Sequence, residues 1–232
     1  MKDSWRHFIS EFIGTFALVF IGSGAIIRAQ MTNGSLAEVA LAHGIILAVM
    51  VTALMRVSGH FNPAVTISFM VVRRIEPVMG VVYMIAQIIG AILAAYALKG
   101  LMPREAVDAT RVGGQMVAGS ITFGGAVLLE LIATFFLVWV IFGTAVDPDA
   151  PRVGGFAIGL TIAADILAIG PLTGASMNPA RSLGPAIASG IFEAQAVYWI
   201  GPIIGAVIAG VLYDRVFLRR TPEPVDHGAV AP

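Results

Sequence analysis

An all-α membrane protein is the fold class this sequence predicts: six transmembrane helices and two short re-entrant half-helices, built as an inverted internal repeat. Three observations carry that expectation. The 232 residues are 58% hydrophobic and only 12% charged, where water-soluble domains carry about 25% charge. Six apolar runs have the length that a bilayer demands. Two Asn-Pro-Ala triplets each open a further apolar run that is too short to cross one.

The first apolar run, Phe8 to Ile27, holds a single ionisable residue, Glu11. About 20 residues at a 1.5 Å rise span the ~30 Å hydrocarbon core, and the run is longer than the core of a signal peptide. It is expected to remain as a span. The others cover roughly Leu36 to Met55, Ile75 to Leu98, Ile121 to Val146, Val153 to Ile169 and Ala196 to Tyr213. The mean hydropathy of +0.89 agrees with lipid as the surrounding solvent.

Asn62-Pro63-Ala64 follows the second run, and Asn178-Pro179-Ala180 precedes the sixth. An asparagine side chain caps a helix by accepting from first-turn N–H groups, and a proline next to it lacks an N–H that had no partner anyway. Each triplet therefore marks a helix start. The roughly ten residues that follow cover about 15 Å, half the hydrocarbon layer. Two such half-helices entering from opposite sides meet near the middle. One Asn-Pro-Ala is a common surface turn, but two copies, each leading a short apolar segment, point to re-entrant helices.

The triplets belong to a larger duplication. Glu11-Phe12-Ile13-Gly14-Thr15-Phe16 matches Glu130-Leu131-Ile132-Ala133-Thr134-Phe135 at an offset of 119, and the triplets match at an offset of 116. With three spans in each half, the second half enters the membrane inverted. The chain reads as a single membrane domain over 1–232: repeat 1 over about 5–98, a connecting loop over 99–120, repeat 2 over about 121–217 and a disordered tail over 221–232. Nine basic residues against five favour cytoplasmic termini by the positive-inside rule. Gly14, Gly22, Gly44, Gly90, Gly159, Gly201, Gly205 and Gly210 lie on the spans and allow close helix packing.

Composition also excludes functions. Zero formal net charge without a basic tract leaves no surface for nucleic acid. The absence of cysteine removes disulfide and thiolate chemistry. No phosphate-binding loop, zinc signature or nucleophile constellation occurs, so neither an enzyme nor a cofactor nor a metal is expected.

The paired triplets, the Glu-x-x-x-Thr-Phe repeats and the six spans together resemble the major intrinsic protein family, the aquaporins and aquaglyceroporins, over nearly everything from Trp5 to Phe217. The stretch Thr173-Gly174-Ala175-Ser176-Met177-Asn178-Pro179-Ala180-Arg181-Ser182 is the most specific part of that likeness. The resemblance implies a right-handed helical bundle with an hourglass pore in each monomer, passive conduction of water and small uncharged solutes, and association in lipid as a homotetramer, with the cell membrane as the expected site. It assigns the pore motifs to Asn62, Pro63, Ala64, Asn178, Pro179 and Ala180. It assigns the outer selectivity filter to His43, Ile166, Ala175 and Arg181. Helix context selects His43, whereas a rigid count back from Asn62 selects Ala42.

This filter resembles that of plant vacuolar-membrane aquaporins, several of which pass ammonia, urea or hydrogen peroxide. The glycerol-conducting branch usually carries aspartate directly after the arginine. Here Ser182 stands there, which ranks water above glycerol.

The residues suggest how such a pore works. Asparagine oxygens that cap the half-helices leave the amide N–H groups of Asn62 and Asn178 free to donate to passing water. Carbonyls of the non-helical stretches before them serve as acceptors. Ile166, Ile46 and Val49 are expected to form the apolar wall. Other residues keep two readings at this stage. Glu11 and Glu130 serve either as a proton relay or, as their repeat positions favour, as anchors for the backbone of the re-entrant segments. His60 reads as a loop-packing or gating residue rather than a metal ligand, since no second ligand shares a recognisable spacing. Asp165, next to Ile166, is expected to accept local hydrogen bonds and to support the filter. An alternating-access transporter also uses inverted repeats and broken helices, and a structural or adhesion protein on this scaffold is a further alternative.

Overall fold

The computed structural model of the chain describes residues 4–151 and 153–218; the expected tail at 221–232 lies outside the described residues. The helices run in chain order α1 (Ser4–Thr32), α2 (Leu36–Leu54), α3 (Pro63–Val71), α4 (Pro77–Leu101), α5 (Arg104–Ala109), α6 (Phe123–Ile141), α7 (Phe156–Thr173), α8 (Pro179–Ser189) and α9 (Val197–Val216). One π-helical turn, Phe142–Val146, extends α6. There is no strand among the described residues. Six helices, α1, α2, α4, α6, α7 and α9, are long and apolar enough to cross a membrane. The protein is an integral, multi-pass membrane protein with an all-α bundle.

Local chemistry explains the helix starts. Ser35 accepts from the Glu38 N–H at 3.3 Å to cap α2, with Glu38 in the reciprocal position of a capping box. Thr122 caps α6 through the Gly125 N–H at 3.1 Å. Asn62 and Asn178 cap α3 and α8, each followed by a proline at the first helical position.

Three boundaries differ from the sequence expectation. The first span begins at Ser4 and ends at Thr32, longer at both ends than its apolar run. The fifth begins at Phe156 and continues through Pro171 to Thr173. Pro171 forfeits only the bond to the Leu167 carbonyl, and the helix ends two residues later where Gly174 turns left-handed at φ 81°, so little is lost. The connection between the repeats is partly helical: α4 runs to Leu101 and α5 follows, with Ala106, Val107 and Val112 buried. It folds against the bundle instead of lying wholly on its surface.

The packing obeys the duplication. α1 packs on α4 and on α2, and α6 packs on α9 and on α7, as equivalent sets in the two halves. α3 rests on α9 while α8 rests on α4, so each half-helix is held by the third span of the other repeat. Where α2 crosses α7, a Cβ on Gly44 or Gly159 would overlap the carbonyl oxygen of the other. Lipid offers no hydrophobic force between helices, and such close backbone approach supplies packing attraction instead. Large apolar side chains such as Ile45, Val81, Leu160 and Ile204 are exposed along the outside of the spans, which suits hydrocarbon and not water.

Candidate functional site

The two half-helices meet N-terminus to N-terminus in the centre of the bundle. Asn62 Oδ1 accepts from the Ala64 N–H at 2.9 Å, and Asn178 Oδ1 accepts from the N–H groups of Ala180 and Arg181 at 3.0 and 3.2 Å. Each amide also reaches across: Asn62 Nδ2 donates to the Met177 carbonyl, and Asn178 Nδ2 donates to the Phe61 carbonyl, both at 2.8 Å. One of the two N–H bonds of each amide is thereby committed within the protein. The sequence expectation that both amides are wholly free is corrected to one open donor apiece.

The residues before each asparagine are not helical, and their N–H groups go to two buried carboxylates. Glu11 on α1 accepts from the N–H groups of His60 at 2.9 Å and Phe61 at 2.7 Å, and from Gln87 Nε2 at 2.7 Å. Glu130 on α6 accepts from the Thr173 hydroxyl at 2.7 Å and from the N–H groups of Ser176 at 2.9 Å and Met177 at 2.7 Å. Phe61, Ala175 and Met177 hold left-handed backbone, with φ of 48°, 46° and 53°. Such conformations cost about 1–3 kcal/mol each and persist only where the surroundings dictate them. The carboxylates supply that constraint. Both are fully buried in hydrogen-bonded pockets beside the re-entrant backbone and neither borders the lumen.

A narrow lumen runs past these groups, bordered by His43, Leu47, Val51, Leu18, Leu137, Ile141, Ile158, Ile162 and Ile166, together with the stretches Gly59–Asn62 and Ala175–Asn178 and Arg181. The space open to a water-sized body is about 20 Å³, room for one or two molecules where a single water needs roughly 10–15 Å³. A wider cavity of about 500 Å³ lies beyond, and Ile166 and Arg181 border both. These two residues therefore stand at the narrowing.

The expected apolar wall is in part misassigned. Val49 is exposed on the outer face, and Ile46 is partly buried against the core cluster and does not border the lumen. Leu47 and Val51 take their place, since positions 43, 47 and 51 share one helical face.

At the narrowing His43 is buried and Arg181 is 3% exposed. His43 Nε2 lies 2.7 Å from Arg181 Nη2, and Nδ1 lies 2.8 Å from the Val39 carbonyl. A guanidinium has no acceptor, so Nε2 accepts and the ring proton sits on Nδ1, a neutral tautomer assigned from its partners. Gln115, from the connection between the repeats, lies against Arg181, and with its amide orientation assigned from these partners its oxygen faces Nη1 and, at 3.1 Å, Nη2. The guanidinium fork is thus held by two side chains, while its Nε–H meets no acceptor among the described residues. Ala175, fully buried, borders the same space and adds no polar atom of its own from the side chain.

His60 also borders the lumen, with its ring 4.4 Å from Phe69 and 5.1 Å from Tyr83 between centroids. The Thr66 hydroxyl donates to the Asn62 carbonyl and accepts from Gln87 Nε2, both at 3.0 Å. Its one proton is used, so the 3.1 Å contact has His60 Nδ1–H donating to Thr66. Asp165, next to Ile166 in the same helix, does not border the lumen. Its expected hydrogen bonds are not made at Oδ2, which is buried and meets no donor among the described residues. No cluster of three metal-ligating side chains occurs among the described residues.

Two contributors escaped the sequence reading. Gln87, an amide within an apolar span, carried a signal, since polar groups at membrane depth have partners. Gln115 carried none, because only the fold of the connection brings it to Arg181.

Residues 1–213 match the family model described as Major intrinsic protein. Probable aquaporin TIP3-2 of Arabidopsis thaliana is 39% identical, over 99% of this chain and 90% of the relative. Aquaporin TIP2-1 of the same plant is 42% identical, over 93% of this chain and 88% of the relative. Among solved structures, the aquaglyceroporin from Plasmodium falciparum superposes with a TM-score of 0.80 at 27% identity, covering 92% of this chain and 96% of that one.

Proposed function

Because this chain belongs to the major intrinsic protein family and is therefore a membrane channel and not an enzyme, we propose that it conducts water passively, excludes ions and protons, and admits small neutral solutes such as ammonia, urea or hydrogen peroxide. The observation that carries this reading is the central pair of capped asparagines, each bordering the lumen with one N–H uncommitted, where the open space has room for one or two waters.

Water entering from the wide cavity passes the narrowing formed by His43, Ile166, Ala175 and Arg181. Arg181 brings a fixed positive charge to the narrowing. At the centre the passing oxygen accepts from Asn62 and Asn178, while Leu and Ile side chains on the opposite wall keep it from being held tightly. A cation meets Arg181 first. It then meets two half-helix N-termini, each equivalent to roughly half a positive charge, in a space that strips its hydration shell. This is the barrier of aquaporin-type pores in general.

Pro63, Ala64, Pro179 and Ala180 serve as the first turns of the half-helices, and Glu11 and Glu130 as their anchors. His60 and Asp165 remain supporting or gating residues in this reading. Apolar Ile166 and Ala175 leave the narrowing short of polar groups, which supports the broader solute range. Glycerol conduction is the second reading, favoured by the likeness to an aquaglyceroporin structure. Ser182, buried and donating to the Pro179 carbonyl, occupies the place where the glycerol branch usually carries aspartate, and water stays ahead.

A homotetramer in the cell membrane with both termini cytoplasmic completes the proposal. It is supported by the family likeness and by the excess of basic residues on one side.

Purified protein in liposomes tests the function by stopped-flow measurement of water, ammonia, urea, hydrogen peroxide and glycerol, alongside proton leak. Water flux well above that of empty vesicles, linear in gradient and without proton leak, is expected. Flux no greater than empty vesicles, or saturable flux coupled to protons or sodium, overturns the reading. Mass determination in detergent tests the tetramer.

A further inference from the structure

The geometry points to Gly22 as the positioning residue that sets where the His43 ring sits and, through that ring, how Arg181 is held at the narrowing; this rests on the reading of His43 and Arg181 as the filter. A Cβ on Gly22 would overlap Cδ2 and Nε2 of His43. That same Nε2 contacts Arg181 Nη2 at 2.7 Å. The glycines at the helix crossings behave differently. Gly44, Gly90, Gly201 and Gly205 each approach a backbone carbonyl oxygen of the neighbouring helix, so their small size serves packing. The atoms nearest Gly22 belong instead to the ring of a lumen-bordering side chain on another helix.

The duplication shows what the same helix position holds without that ring. The offset of 119 carries Leu18 to Leu137, and both border the lumen. It carries Gly22 to Ile141, which borders the lumen itself. In repeat 2 the first helix fills the space with its own isoleucine. At the matching turn of repeat 1 the first helix has only Gly22, and the second helix places an imidazole there. Loss of the side chain at 22 is thus the change that lets a polar ring stand at one end of an otherwise apolar wall. The ring has little freedom to retreat, since Nδ1 is tied to the Val39 carbonyl at 2.8 Å and the residue is fully buried. A methyl at 22 turns it toward the lumen and away from the guanidinium.

The test compares wild type, Gly22→Ala, His43→Ala and the double variant in liposomes, with water permeability per folded channel and the ammonia-to-water permeability ratio as readouts. Gly22→Ala is expected to shift the ratio about tenfold, the change that accompanies loss of one hydrogen bond to a charged group. In the His43→Ala background the same methyl is expected to shift it by no more than about twofold, as for independent sites. Equal shifts in both backgrounds, or no shift in a folded Gly22→Ala protein, overturn the role of Gly22. Should Gly22→Ala fail to fold, the double variant must recover folded protein, because the obstructing ring is gone; failure to recover also overturns it. A His43→Ala protein with wild-type permeability and ratio overturns the filter reading itself, a separate result.

Discussion

Asn62 donates from Nδ2 to the carbonyl oxygen of Met177, 115 residues further along the chain, at 2.8 Å. Asn178 returns the bond to Phe61 at the same distance. Each capping residue of one repeat therefore closes the strained backbone of the other, and the joint at the pore centre is bridged by these two amide hydrogen bonds while Glu11 and Glu130 hold the backbone on either side of it. Asn178→Ala removes the α8 cap and its cross-bond together. A cap is worth about 1 kcal/mol and a buried carbonyl left without a donor costs about 1–3 kcal/mol. A loss of roughly 2–4 kcal/mol is expected, seen as a lower thermal midpoint in detergent, with reduced water flux in the folded fraction.

Glu130→Gln tests the anchoring carboxylate. The oxygens of Glu130 accept from three donors, and an amide in its place turns an N–H toward at least one of them. One buried donor is then unmatched, at a cost of about 1–3 kcal/mol. Thr173→Val removes one donor to Glu130 and also the acceptor of the buried Ala175 N–H at 3.1 Å, so about 1–3 kcal/mol is expected there too. Both thermal midpoints should fall below that of wild type, and a Glu130→Gln midpoint equal to wild type contradicts the anchoring role.

Ile166→His places a polar ring where an apolar side chain borders both the lumen and the wide cavity. The narrowing becomes smaller and more polar. Ammonia, urea and hydrogen peroxide permeabilities should fall by about tenfold or more relative to water, on the scale of one to two hydrogen-bond energies. Stopped-flow ratios that stay at the wild-type values show that Ile166 does not set the solute range.

Protonating His43 would turn Nε2 into a donor against the Arg181 donor beside it, with no acceptor between two cations. His43 is accordingly expected to stay neutral across pH 5 to 8. Water permeability normalised at pH 7 should follow one profile in wild type and His43→Asn. A wild-type profile that titrates in this range while the variant stays flat assigns the switch to His43 and refutes its fixed tautomer.

The legible part of the site was its local chemistry. Asn62-Pro63 and Asn178-Pro179 announce helix starts because a cap and its proline act on the first turn of their own helix, and Arg181 follows in the same helix. The wall was less legible. Val49 faces outward while Leu47 and Val51 face the lumen, and hydropathy cannot separate them because lipid and the lumen wall both accept apolar side chains. The grip of Gln115 on Arg181 has no local sign at all.

Sequence alone determined which segments enter the membrane, where the half-helices begin and that the chain is duplicated, since transfer into hydrocarbon and helix capping depend on residues within a turn or two of one another. Tertiary structure decided which helical faces border the lumen, which N–H groups Glu11 and Glu130 receive, and how Gly22, His43, Gln115 and Arg181 come together. Those outcomes depend on contacts between distant parts of the chain, where a close approach of backbones sets positions to a fraction of an ångström and no short-range preference encodes them.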